Sequence, residues 1–158
     1  MNKMKAPSLG RYDLGVQLED LDAARPLSES VEVCSFGATG WTDRVQADAI
    51  MSELDLRPGT RLWDLGSSYG WPALYFAQAS GCSVALSGLP AEGIRLARDR
   101  SDEIGIGARV HIHEGDALAP GLAPGSVDVI THFEYLCRLT DKRSVLEACR
   151  RMIAPDGR

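Results

Sequence analysis

The sequence predicts an α/β fold, a parallel sheet with helices on both faces. Three observations lead there. Short apolar runs of strand length alternate with longer stretches of helical period along residues 42–158. A turn of small residues, Gly66-Ser67-Ser68-Tyr69-Gly70, joins the first apolar run to a helix. A second strand follows that turn by about 20 residues, the spacing of a strand–helix–strand unit. Strands alternating with helices give a parallel sheet with right-handed crossovers.

The elements follow in order. Residues 1–40 have no clear period and read as an N-terminal arm or lid, with a short helix near Gln17–Ala24 and Tyr12 as a candidate covering residue. Thr42 to Leu54 predicts a helix, with Thr42 as its N-cap and Val45, Ala49, Ile50 and Leu54 on its inner face. Arg57-Pro58-Gly59-Thr60 is a turn, and Arg61–Leu65 is the first strand. Trp71 to Ser80 is helical, with Pro72 tolerated in the first turn and Gly81 just past the end. Cys82–Ser87 is the second strand, and Pro90–Glu103 the next helix, with Ile94, Ala97 and Ile104 inward. Arg109–Glu114 and Val127–His132 are the third and fourth strands. Thr140–Ile153 closes the series as an amphipathic helix bearing Val145, Leu146, Cys149, Met152 and Ile153, with Arg150 and Arg151 suited to its C-terminal dipole.

Composition bounds the function. The chain has 158 residues, 44% hydrophobic and 25% charged, as expected of one globular domain. Its net charge of −5 argues against sequence-independent nucleic-acid binding, which needs a basic face. No apolar run nears the roughly 20 residues that span a bilayer. The basic start Met1–Lys5 is not followed by an apolar segment, so no signal peptide is read and the expected location is cytoplasmic. Cys34, Cys82, Cys137 and Cys149 are scattered, and His111 and His113 have no cysteine beside them, so no metal site is expected.

The chemistry is expected outside the carboxyl ends of the strands, where strand order reverses. The turn after Asp64-Leu65 sits there, with a helix N-terminus aimed at the same spot. This favours a nucleotide-like or carboxylate-bearing ligand. A tight strand–helix turn with no ligand is the plain alternative.

The segment Leu62-Trp63-Asp64-Leu65-Gly66-Ser67-Ser68-Tyr69-Gly70-Trp71 resembles the first motif of class I, Rossmann-like S-adenosylmethionine-dependent methyltransferases. That motif usually reads leucine-aspartate-leucine-glycine-cysteine-glycine-threonine-glycine. Gly81–Val84 and Pro90–Ile94 resemble the family's second strand and following helix. Glu114-Gly115-Asp116-Ala117 resembles the end of its third strand, and Val127–Ile130 its fourth. Leu146–Arg158 resembles the helix and the proline-glycine turn that follow. The likeness covers about residues 42–158 and speaks for the superfamily, not for a substrate.

The resemblance implies a Rossmann-like sheet of order 3-2-1-4, S-adenosylmethionine as cofactor and a small-molecule methyl acceptor. Asp64, Gly66, Ser67, Ser68, Gly70 and Trp71 would line its methionine part. Gly88 and Leu89 would lie at the ribose, and Asp116 and Ala117 at the adenine. His132 and Phe133 would lie near the methyl group, with His132 as the candidate general base for an acceptor. Three positions depart from the pattern. Ser68 replaces a glycine, and Tyr69 is bulky where a small residue is usual. Gly88 stands where the family carries an acidic ribose ligand, leaving Ser87 to offer one weaker hydrogen bond.

The family continues beyond the Pro155-Asp156-Gly157 turn with further strands. The fourth strand is therefore expected to present an open, apolar edge, fit for pairing in a homodimer. A fragment, a dimerising half-domain and a relic are all compatible with the sequence. So are two functions: a methyltransferase acting on a small-molecule O, N or C nucleophile, and a non-catalytic scaffold or partner subunit that has lost its cofactor.

Overall fold

The computed structural model describes residues 42–114, 118–119 and 121–158. The expected arm, Tyr12, Trp41, Asp116 and Ala117 lie outside the described residues. Four parallel strands form one sheet: β1 Arg61–Leu65, β2 Ser83–Ser87, β3 Val110–Ile112 and β4 Val129–His132, in the order β3-β2-β1-β4. The helices are α1 Arg44–Glu53, α2 Ala73–Ser80, α3 Ala91–Glu103 and α4 Lys142–Met152. The expected order 3-2-1-4 is thus the observed one.

Strand β1 lies between β2 and β4, and its last four residues are buried. Alternation divides them between two apolar layers. Leu62, with Val84 and Leu86 of β2, packs under Leu74, Phe76 and Ala97 of α2 and α3. Trp63 and Leu65, with Ala85, pack against Val145 and Ala148 of α4. Each large side chain buried this way contributes about 2–3 kcal/mol.

Two helices differ from expectation in their facing. Helix α1 is capped by Asp43, not Thr42. Its carboxylate accepts from the Gln46 amide at 2.8 Å, and the Gln46 side chain accepts from the Asp43 amide at 3.0 Å, a complete capping box. The inner face is Ala47, Ile50, Met51 and Leu54, while Val45 is 77% exposed. Positions 47, 50, 51 and 54 make a continuous helical stripe, which Val45 does not join. On α4, Leu146 is exposed and Ala148 takes the inner position. Tyr75 on α2 donates to Asp48, and Arg44 lies over the Tyr75 ring at 5.5 Å, so polar contacts help join α1 to α2.

The expected open edge of β4 is partly closed. The Val127 amide donates to the Met152 carbonyl at 3.0 Å, and the Ala154 amide to Val127 at 2.7 Å. Arg158 donates to Asp128 at 3.0 Å and accepts from Ile130 at 2.9 Å. The segment after α4 therefore runs back along β4 and takes up the backbone groups at its start.

Substituting Asp43→Ala removes the carboxylate that accepts from the Gln46 amide and leaves only the Gln46 side chain on the backbone amide of residue 43. We expect a loss of about 1 kcal/mol in urea unfolding, with unchanged m-value.

Candidate active site

The carboxyl end of β1 carries the turn that shapes the site. The amides of Gly66 and Ser67 both donate to the Ser87 carbonyl, at 2.9 and 3.2 Å. This ties the turn to the end of β2. The Ser67 hydroxyl donates to the Asp64 carbonyl at 2.8 Å, and the Gly70 amide to the Ser67 carbonyl at 2.7 Å. Ser68 has φ +50°, so the position where the family pattern has glycine does use left-handed backbone. For serine that conformation costs on the order of 1 kcal/mol. The Ser68 and Tyr69 amides have no acceptor among the described residues. They lie beside the N-terminus of α2, where an anion is favoured.

Gly66 is required by its neighbour. A Cβ built there would lie 2.2 Å from the Tyr135 ring. Tyr135, 5% exposed, thus sits directly on the turn. It comes from the loop after β4, where Glu134 adopts φ +57°. Sequence reasoning missed Tyr135; its only signal was a large aromatic following the fourth strand.

Asp64 is 1% exposed. Its Oδ1 accepts from the Thr131 hydroxyl of β4 at 2.7 Å. Among the described residues, no cation pairs with it. Burial pushes its carboxyl up to about 6, against the opposing pull of the Thr131 and Ser67 hydroxyls. Thr131 was also missed, although it is a polar residue inside an apolar strand.

The remaining candidates are placed as follows. Trp71 is 5% exposed, and its indole donates to the Thr42 carbonyl at 2.8 Å. Its ring packs on Tyr75 at 5.6 Å, so its visible contacts are structural. The Trp71–Pro72 peptide is cis, and α2 starts at Ala73, after that bond. Tyr69 is half-buried, and its carbonyl accepts from Arg100 at 3.2 Å. Leu89 packs at the margin of the α2–α3 core. Phe133 packs on Phe76 at 6.2 Å. His132 is exposed at the end of β4, where partial burial holds its pKa below the ordinary value. It is therefore neutral at pH 7 and able to accept a proton.

The ribose end needs a correction. Ser87 is fully buried, and its hydroxyl accepts from the Trp63 indole at 2.9 Å. It faces the layer opposite Asp64 and is not free for a ligand. Gly88 has φ +73°, so the acidic side chain of the family pattern would require a left-handed backbone here.

The donor set tests the fit of the expected cofactor. A buried carboxylate without a cation complements an ammonium, and two unpartnered amides at a helix N-terminus complement a carboxylate. That pair matches the amino-acid end of S-adenosylmethionine. The ribose end has no acidic anchor at Gly88.

Two outcomes follow. The raised Asp64 pKa makes the ligand-free chain most stable with Asp64 protonated. Stability then falls as pH rises from about 4 through 6. Asp64→Asn should therefore raise stability by about 2–3 kcal/mol at pH 8 and by about half that at pH 5, read by urea unfolding. Gly66→Ala should destabilise by about 2 kcal/mol or more through the Tyr135 clash and the left-handed backbone. The loss should shrink in a Tyr135→Ala background, as a double-mutant cycle would measure.

The comparisons with known proteins identify the family and the fold. A family model described as "Methyltransferase domain" matches residues 63–158. The chain is 30% identical over 111 residues to 27-O-demethylrifamycin SV methyltransferase of Amycolatopsis mediterranei, covering 70% of this chain and 41% of that protein. It is 28% identical over 111 residues to methyltransferase GfsG of Streptomyces halstedii, covering 70% and 40%. The chain thus spans about two fifths of the length of these relatives. A S-adenosylmethionine-dependent methyltransferase from Thiobacillus denitrificans, solved with S-adenosyl-L-homocysteine, shares the fold with TM-score 0.62 at 21% identity, over 73% of this chain and 46% of that one. The sheet order, the turn after β1 and the matched residues all agree: the chain belongs to the methyltransferase-domain family.

Proposed function

We propose that this chain binds S-adenosylmethionine at the carboxyl ends of β1, β2 and β4 and serves methyl transfer to a small-molecule O, N or C acceptor. The observation that carries the reading is the pairing of a buried Asp64 with the Ser68 and Tyr69 amides, none of which has a cation or an acceptor as partner among the described residues. Asp64 would hold the ammonium, and the amides the carboxylate. Gly66, Ser67 and Gly70 would keep the backbone low beneath the methionine part, with Trp71 bracing the turn from behind. Gly88 and Leu89 would border the ribose, and Asp116 and Ala117, by resemblance, the adenine.

The cofactor supplies a methyl group already activated on a sulfonium. What is left to the protein is to hold acceptor and methyl in line and to exclude water. His132, neutral near pH 7, would take the proton that an O or N nucleophile releases. The net charge of −5 disfavours a nucleic-acid acceptor, and the similar 27-O-demethylrifamycin SV methyltransferase carries a small-molecule substrate in its name, which supports a small-molecule acceptor here. No helix among the described residues is long and apolar enough to cross a membrane, and a cytoplasmic setting is part of the proposal.

Titration calorimetry with S-adenosylhomocysteine tests this. Binding in the micromolar range is expected, with Asp64→Ala and Asp116→Ala each weakening it about tenfold or more. A folded parent chain that does not bind at millimolar ligand would overturn the proposal and favour the non-catalytic scaffold.

A further inference from the structure

The geometry points to Thr131 as the positioning residue that keeps Asp64 ionised for a cationic ligand group. The inference rests on the cofactor-binding reading above and adds a residue to it. Thr131 is 8% exposed and lies across from Asp64 in the parallel pairing of β1 and β4. Its hydroxyl donates to Asp64 Oδ1 at 2.7 Å, a contact between residues 67 positions apart in sequence. This bond locks the carboxylate to the neighbouring strand.

The surroundings leave that hydroxyl little competition. The register partner of Asp64 on β2 is the apolar Leu86. Within the turn, the Ser67 hydroxyl donates to the Asp64 carbonyl. The charged groups of nearby elements are engaged elsewhere. Glu92 and Arg95 on α3 pair with each other, Arg100 donates to the Tyr69 carbonyl, and Glu134 pairs with Arg138 at 3.9 Å. His132 pairs in register with Leu65, and its own downward shift comes from burial alone. Among the described residues, then, hydroxyl groups and not cations hold the Asp64 charge. Burial opposes that charge, and the Thr131 hydroxyl is the strongest force in its favour. Hydrogen bonding to an ionised group is stronger than to a neutral one, so this contact favours the carboxylate over the acid.

Two measurements on the full chain test the inference. The first is a carbon-13 NMR titration of the Asp64 carboxyl without ligand. Its midpoint should lie near 6 in the parent. It should rise by about one pH unit in Thr131→Val and return to the parent value in Thr131→Ser. The second is calorimetry with S-adenosylhomocysteine as a function of pH. Relative to the parent, Thr131→Val should bind about threefold more weakly at pH 6.5 and about eightfold at pH 5.5, and match it at pH 8.5. A merely structural role would give a loss independent of pH. A Thr131→Val midpoint equal to the parent's, or a pH-independent loss of affinity, overturns the inference. If the parent itself binds no S-adenosylhomocysteine, the cofactor reading fails, while the NMR midpoints still decide whether Thr131 holds the Asp64 charge.

Discussion

The structure depends on the enclosure of β1. Because β2 and β4 flank it and helices cover both faces, four of its five residues leave water. Three of them are apolar and fill the two cores. The fourth is Asp64, a charge held where charge is disfavoured. Everything at the carboxyl end follows from that placement. The turn leaves the strand sharply, β4 supplies the Thr131 hydroxyl, and the loop after β4 places Tyr135 against Gly66.

The same placement sets stability against binding. An apolar residue at position 64 would suit the core better than a carboxylate does. The carboxylate is useful only if something positive arrives to meet it. Left-handed backbone at Ser68 and Glu134 has the same character: two non-glycine residues in an unfavourable conformation, both on loops that rim one end of the sheet. The buried charge lies at the carboxyl ends of the strands, while the opposite end of the sheet is tied by an ordinary ion pair, Arg61 to Asp128 at 2.5 Å, and has its own left-handed residue in Asp55 at φ +47°.

Much of this was legible in the sequence. The strand Arg61–Leu65 was read at its observed bounds, and the sheet order followed from alternation and family likeness. The positive φ at Ser68 was legible too, because a serine stood where a glycine was expected. What failed depended on contacts between distant residues. The inner face of α1 was misassigned because Val45 and Ala47 are both apolar, and only packing against α2 separates them. Ser87 was assigned to the ligand because its strand position is right, but the side chain points to Trp63 on the other layer. Thr131 and Tyr135 act through partners about 67 residues away, a relation that no local pattern encodes.

One carbonyl has a wider reach than its size suggests. Ser87 O receives two amides, so the end of β2 and the turn after β1 are joined at a single atom. Neither strand end can shift without breaking both bonds at once. In hydrogen exchange, the Gly66 and Ser67 amides should therefore behave as one unit, opening together and being protected together. Any ligand that settles over Gly88 would slow both, which makes this pair a built-in reporter of occupancy.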